Sequence, residues 1–310
     1  MRIGWRRRTA LKNRRLSWLS APYVLWMALF VVIPLIVVVV YAFTKELAGG
    51  AWVPTLENFA GMAGYAAVFA RSFLLAAIAT VICILIGYPL AYVMAREGPG
   101  FQRMATVLIM LPMWVNFLLR TYSWMFLLER NGFINNILGS LGFFNLLNGL
   151  NGVLNGAFGL ALPTDVAYIE FLGTQGAVVL GMVYNFLPFM ILPIFSVIEK
   201  IDPRVIEAAQ DLGANSQQVF RKVIFPLSLP GVLSGVTMVF IPSVSTFVIS
   251  RLLGGGTTIL LGDLIEMQFL GNAYNPHLGS AISLVMMVIV LVCMGIMNRF
   301  GEGEGEAVLL

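Results

Sequence analysis

The sequence predicts an all-α, polytopic membrane protein with six transmembrane helices, and three observations carry that prediction. Of the 310 residues, 59% are hydrophobic and only 11% are charged, against about 25% charged in a soluble domain. The few charges bracket long uncharged runs instead of being scattered. Each run comes close to or exceeds the roughly 20 apolar residues a helix needs to cross a bilayer. Length alone would suggest two soluble domains, but that prior does not apply to a helix bundle in lipid.

The spans follow in order. Residues 16–44 run uncharged between Arg15 and Lys45, and residues 72–95 between Arg71 and Arg96. A third run, 104–119, ends at Arg120 and resumes to 128. Residues 171–198 end at Glu199, 223–250 at Arg251, and 267–298 at Arg299. Spans are therefore expected at about 18–44, 70–96, 104–128, 174–198, 224–250 and 277–298, within a six-span body over 16–300. Runs this long and uniform exclude a barrel, because a backbone in hydrocarbon must satisfy its own polar groups. Pro34, Pro89 and Pro112 fall in the first three spans. Pro188 and Pro193 fall in the fourth, and Pro226, Pro230, Gly231, Gly235 and Pro242 in the fifth. That density fits bent helices around a moving pathway, and equally the general frequency of Pro and Gly in membrane helices.

One uncharged run differs. Residues 131–163 hold seven Asn and seven Gly, poor material for a lipid-facing span. Asn145, Asn148, Asn151 and Asn155 fall roughly on one helical face, with Leu146, Leu147, Leu150, Val153 and Leu154 largely on the other. That pattern predicts a helix lying in the interface and not a seventh span. Gly254, Gly255 and Gly256 break the chain after the fifth span, and residues 257–270 read as a short amphipathic piece. The end, 301–310, reads as an acidic flexible tail.

Orientation follows the basic residues. With the basic tail 1–15 inside, six spans place fourteen of the nineteen Lys and Arg on the inner side, so both termini are expected in the cytoplasm. The first span is too long for a cleavable signal and no small-residue site closes it, so it reads as a signal anchor. The net charge of +4 reflects topology and lipid contact; no basic domain suggests a nucleic-acid partner. Cys83 and Cys293 sit mid-span as small apolar residues. With His277 the single histidine, no His-based metal site is expected.

The inner loop between the fourth and fifth spans has a readable grammar. Asp202 is a good N-cap and Pro203 suits the first helical position. A helix over 203–212 is expected to stop at Gly213, where a C′ residue adopts positive φ. Asn215 or Ser216 can cap the next helix. Ala208 and Ala209 keep one face small. Caps alone describe any surface loop; spacing is more specific. Glu207-Ala-Ala-Gln-Asp-Leu-Gly213, with Pro226 thirteen residues on, matches the E-A-A-x₃-G-x₉-I-x-L-P loop, with Val223 and Phe225 replacing the usual Ile and Leu.

On that loop the chain resembles the permease subunits of bacterial ATP-binding-cassette importers. The resemblance implies the type I importer permease fold with a cytoplasmic coupling helix. It assigns Glu207, Ala208, Ala209, Asp211, Gly213 and Pro226 to ATPase coupling. Two further segments, Leu111-Pro-Met-Trp114 continuing to Leu119-Arg-Thr-Tyr-Ser-Trp124, and Ser250-Arg-Leu-Leu-Gly-Gly-Gly256 leading into residues 261–269, resemble the first permease of spermidine/putrescine importers. The resemblance implies a bacterial inner-membrane complex. Its other members are two ATPase subunits, a second permease in a heterodimer, and an extracytoplasmic binding protein. The chain has no G-x₄-G-K-[ST] loop, so ATP would be bound and hydrolysed by a partner, and this subunit would be non-catalytic with no cofactor of its own.

A polyamine is a flexible polycation, and carboxylates with aromatic faces suit its passage. Candidates on the outer half are Glu129, Asp165, Glu170, Asp263 and Glu266, the last two three residues apart and so expected on one helical face. Tyr122 and Trp124 join them, although aromatic residues there also fit an interfacial belt. Arg120 argues differently. An ionised residue in a span costs about 2.5–3.5 kcal/mol on insertion scales, so it is expected to pair with Glu129 or with a carboxylate of the partner subunit. The expected mechanism is alternating access driven through the Glu207 loop. Rival readings are the same class of permease for ferric iron, thiamine, sulfate or a phosphonate; an ion-coupled secondary transporter, which would want acidic residues deep in spans; a membrane enzyme; and an assembly scaffold.

Overall fold

A backbone in lipid must bond to itself, and the first helix shows how that rule accommodates proline. The computed structural model describes residues 21–47, 50–159, 161–271 and 273–305; the basic tail expected over 1–15 and the last five residues lie outside the described residues. Helix α1 (Ala21–Ala42) widens into a π turn over Ala28–Val32, with the Ile33 N–H reaching back five residues to the Ala28 carbonyl. Pro34 follows at once. A proline has no N–H to donate, and its ring collides with the carbonyl four residues back. The extra residue of a π turn moves that carbonyl off the ring.

The chain forms two units, residues 1–64 with 267–288 and residues 65–266 with 289–310. In the first, α1 leads into an antiparallel hairpin of β1 (Thr44–Glu46) and β2 (Trp52–Pro54), with Lys45 opposite Val53. Lys45 pairs with Glu57 at 2.6 Å, on the short helix α2 (Glu57–Gly61). Asn58 donates to the carbonyls of Ala42 and Thr44. The single histidine has a structural place here. His277 Nδ1 lies 3.0 Å from the Tyr41 carbonyl, and its ring lies against those of Tyr41 and Trp52.

The second unit holds α3 (Ala66–Arg96), α4 (Pro99–Trp114), α5 (Phe117–Leu128), α6 (Phe133–Ser140), α7 (Phe143–Phe158), α8 (Gln175–Glu199), α9 (Pro203–Asp211), α10 (Ser216–Ser245) and α11 (Val248–Leu253). Helices α12 (Leu261–Leu270) and α13 (Pro276–Gly305) each run from one unit into the other. Among the described residues five helices are long and apolar enough to span a membrane, and six spans result if the bent pair Pro99–Trp114 and Phe117–Ser140 counts as one. Helix α7 is not among them.

The core of this unit is where α3, α8 and α10 meet, and glycines let them meet closely. Met190 of α8 is fully buried. A Cβ on Gly87 of α3 would lie 3.1 Å from its Cγ, and one on Gly235 of α10 would lie 2.7 Å from its Sδ. Gly231, one turn earlier on α10, faces the carbonyl of Pro193, where a Cβ would stand at 2.9 Å. The glycine-rich face of α10 is thus a packing surface against α8.

Three expectations change. The third span is not one run over 104–128: α4 meets the stretch Phe117–Ser140, which begins with α5, at 88°. Val115 and Asn116 are extended there, and the Asn116 side chain caps α5 by accepting from Leu118 N–H. Pro112 removes one donor from the last turn of α4, and Asn116 starts a new helix instead of continuing the old one. The fifth span stops at Ser245 and not near 250; Thr246 is extended and α11 begins separately. Finally, α13 continues helically to Gly305, into the stretch read as a flexible tail. Extending a long helix costs only one residue's ordering per added bond.

The Met190 contact is tested by Gly235→Leu, which forces side-chain atoms into an occupied position. Overpacking of this kind costs about 1–3 kcal/mol, so the purified variant is expected to melt several degrees lower in detergent than Gly64→Leu, where a Cβ meets nothing. Equal melting temperatures would mean α8 and α10 do not meet at Met190.

Candidate coupling site

The loop that leaves α8 is built as its sequence suggests. Asp202 accepts a hydrogen bond from Arg204 N–H at 2.9 Å, and Pro203 occupies the first turn of α9. Ten residues after Pro203, Gly213 adopts φ +83°. Its N–H bonds to the Gln210 carbonyl at 2.8 Å, and Ala214 N–H reaches the Ala209 carbonyl at 3.1 Å, a glycine-terminated closure that satisfies the last carbonyls of α9. A Cβ at Gly213 would meet nothing within 4 Å. The glycine is therefore required by backbone conformation and not by space.

The next helix starts two residues on with a reciprocal cap. Asn215 Oδ1 accepts from Gln218 N–H and Gln218 Oε1 accepts from Asn215 N–H, both at 2.9 Å, which is a capping box. Helix α10 then takes its own π turn over Phe220–Ile224, and Phe225 N–H bonds to the Phe220 carbonyl one residue before Pro226. Pro226 thus fixes the pitch of the helix as it leaves the loop, by the same device as Pro34.

The π turn is held against α3 by rings. Tyr88 and Tyr92 of α3 pack on Phe220, with Tyr92 edge-on at 5.2 Å, and Tyr88 also meets Phe225. Tyr88 Oη lies 2.8 Å from Ser228 Oγ, whose hydroxyl donates to the Phe225 carbonyl. These four aromatic residues were missed in the sequence, since only their separate helices place them together. The Asn215–Gln218 spacing is a readable capping-box signal.

The two sides of α9 differ. Ile206 and Ala209 pack against the core, whereas Val205, Ala208 and Leu212 face outward, Leu212 with 90% of its surface exposed. Glu207 and Asp211 are exposed beside them. The result is a small apolar stripe at i, i+3 and i+7, about two turns long and edged by two carboxylates. Of the residues expected to couple, Glu207, Ala208 and Asp211 lie exposed on or beside the outward side of α9, Ala209 turns to the core, Gly213 ends the helix and Pro226 lies on α10. Sequence reading missed Val205 and Leu212, which the apolar spacing could have revealed.

The residues expected along a substrate pathway do not gather. Tyr122 and Trp124 are two apart on α5 and so point to different faces; Tyr122 is exposed, while Trp124 meets Tyr184 edge-on at 5.3 Å. Glu129 is exposed at the end of α5, as are Asp165 and Glu170 beyond it. Asp263 is buried and accepts from Leu260 N–H at 2.9 Å. Burial pushes its carboxyl above the ordinary carboxylate value, against the Ser250 hydroxyl and the Leu260 N–H, which lower it. Glu266 is held by Arg251, whose Nη1 lies 2.6 and 2.8 Å from its two oxygens. Asp263 and Glu266 therefore do not form a shared free face.

Arg120 corrects an expectation. It does not pair with Glu129, which lies nine residues along the chain, about 13 Å of helical rise away. Its Nε and Nη1 are buried with no partner among the described residues, and its guanidinium stands 6.0 Å from the Phe117 ring.

The comparisons with known proteins agree with this geometry. The sequence profile described as binding-protein-dependent transport system inner membrane component matches residues 84–302. The chain is similar to the spermidine/putrescine transport system permease protein PotB of Haemophilus influenzae, 36% identical over 278 residues covering 88% of this chain and 90% of that one. It is 33% identical over 269 residues to the protein of the same name from Escherichia coli, covering 86% and 90%. The inner membrane ABC transporter permease protein YdcU of Escherichia coli is 30% identical over 236 residues, covering 76% and 71%. Among solved structures, a bacterial ABC transporter involved in the import of the acidic polysaccharide alginate superposes with TM-score 0.75 at 16% identity, covering 95% and 97%. At that identity the likeness is one of fold, and it bears out the all-α importer-permease architecture.

The glycine closure gives a direct test. An L-residue in the left-handed region costs about 1–2 kcal/mol, and Asn tolerates it best. Gly213→Val is expected to loosen α9 so that trypsin cuts at Arg204 several-fold faster than in the native protein, while Gly213→Asn stays close to native. Equal cleavage of both variants would remove the conformational role of Gly213.

Proposed function

We propose, given that this chain belongs to the binding-protein-dependent transport system inner membrane component family, that it is the polyamine-importing permease subunit of an ATP-driven importer. The observation that carries the coupling part is α9: a short helix pinned at both ends, with an exposed apolar stripe, joined through a reciprocal cap to a helix long enough to cross the membrane. Polyamine as substrate is supported by the 33–36% identity to permeases named for spermidine and putrescine transport.

In this reading the stripe of Val205, Ala208 and Leu212 seats on a separate ATPase, with Glu207 and Asp211 at its edge. Two ATPase subunits, a second permease and an extracytoplasmic binding protein complete the complex. The subunit itself is non-catalytic and carries no cofactor. Both termini and α9 face the cytoplasm, which the fourteen inner Lys and Arg favour. Closure of the ATPases on ATP moves α9. The Asn215–Gln218 cap and the ring cluster around Phe220 pass that movement to α10 and α3. Tyr122, Trp124 and Glu129 are the candidates for contact with the polycation; Asp263 and Glu266 shape the outer segment through Leu260 and Arg251. Arg120 would find its carboxylate on the partner permease.

The test is uptake of labelled spermidine in cells expressing this permease with its neighbouring ATPase, second permease and binding protein, beside a Glu207→Ala, Gly213→Val variant. Saturable uptake, lost in the variant while the complex still assembles, is the expected result. No uptake by the intact native complex would discard polyamine as the substrate and leave the coupling reading standing.

A further inference from the structure

Helices α6 and α7 connect α5 to α8; with the bent stretch Pro99–Trp114 and Phe117–Ser140 counted as one span and α8 as the next, α7 falls on the side opposite α9. Residues 131–164 contain no Asp, Glu, Lys, Arg or His. Along α7 the exposed large apolar side chains are Phe143, Leu146 at 73%, Leu150 at 54%, Val153 at 67% and Phe158, with Asn145 and the small Gly149, Gly152, Gly156 and Ala157 exposed beside them. Phe133, Ile137 and Leu141, spaced four apart through α6 and past its end, are exposed as well. These side chains touch nothing in the chain that would keep them from water.

The opposite side of α7 does something different. The extended return, residues 162–169, has no strand to pair with, and asparagine amides take the place of one. Asn155 accepts from Leu162 N–H at 2.9 Å and donates to the Leu162 carbonyl at 2.8 Å. Asn148 makes the same two-way pair with Val166, and Asn135 of α6 with Ile169. Asn151 donates to the Pro163 carbonyl. A side-chain amide offers one acceptor and two donors, so each of three asparagines matches a residue's backbone as a neighbouring strand would. Water would satisfy those groups at no structural cost. Satisfying them internally matters where water is scarce.

We infer that α6 and α7 form an amphipathic foot lying in the bilayer interface opposite α9, with Leu146, Leu150 and Val153 in the acyl region and the asparagine ladder shielding the return segment above them. Three observations favour lipid over a docked protein. Apolar exposure is not confined to α6 and α7, since Phe126 on α5 is exposed as well. Thirty-four residues without a charge lack the charged rim a protein partner would meet. The charges resume just outside the segment, with Arg130 stacked 4.0 Å over the Tyr168 ring, a pairing suited to the headgroup level. An interfacial helix needs an apolar face and a polar one, and α7 supplies both without using charge.

The test places nitroxide labels at Leu146→Cys, Leu150→Cys and Val153→Cys in the full complex in lipid nanodiscs, on a Cys293→Ser background; Cys83 is buried. Asp165→Cys is the reference. Collisions with dissolved oxygen are expected to exceed those with a water-soluble nickel chelate at 146, 150 and 153, and the order to reverse at 165. In the unsubstituted chain, a phosphatidylcholine carrying a photoreactive tail is expected to label the peptides covering 143–158. Nickel collisions dominating at all three positions would overturn the proposal. So would low collisions with both probes that fall further on adding an extracytoplasmic binding protein, which would make the face a protein dock. Absence of lipid adducts would count against it equally.

Discussion

Every backbone N–H and carbonyl that lies beyond the reach of water in this protein must find its partner within the protein, and most of the architecture follows from that requirement. It makes the spans helical. It turns α1 and α10 into π turns ahead of Pro34 and Pro226, because a proline can neither donate nor tolerate the carbonyl four residues back. It lets the α4–α5 span break at Val115 and Asn116 only because the Asn116 side chain caps the new helix. It puts asparagine amides along the return segment 162–169, where an ordinary loop would rely on solvent.

The same requirement explains why α9 is closed at both ends. Helix α9 is closed at its start by Asp202 and at its end by Gly213, so it keeps its shape without tertiary support from its outer face. The capping box of Asn215 and Gln218 starts α10 immediately afterwards, leaving Ala214 as the one residue between two closed ends. On its far side α10 presents Gly231 and Gly235 to α8, where Val197 and Met190 fill the space above them, so the two helices are in close contact along this face.

Much of this was legible in the sequence, and the rest was not for definite reasons. The spans could be read because charge is excluded from them, and the α9 loop because caps and Gly213 act over a few residues. Pro226 was recognised by spacing, but the π turn before it was not, since it depends on how the helix absorbs the proline. The break after Trp114 was hidden because hydropathy does not report Asn116 acting as a cap inside an apolar run. Tyr88, Tyr92, Phe220 and Phe225 meet only through tertiary packing. Asp263 and Glu266 share a face by spacing, yet Leu260 N–H and Arg251, not visible from that spacing, engage each of them separately. Asn145 was read as part of the polar stripe on α7, whereas the ladder uses Asn148, Asn151 and Asn155 together with Asn135 from α6.

The central claim is that α9 is the surface on which an ATPase acts. The most direct measurement is hydrogen exchange of the peptide covering 203–214, in the intact complex and again after the ATPase subunits are stripped away. A nine-residue helix held mainly by its caps exchanges quickly when its outer face is free. The account predicts slow exchange at Val205 to Leu212 with the ATPase bound and fast exchange without it, while peptides from α8 stay unchanged. Equal exchange of 205–212 in both states would contradict it.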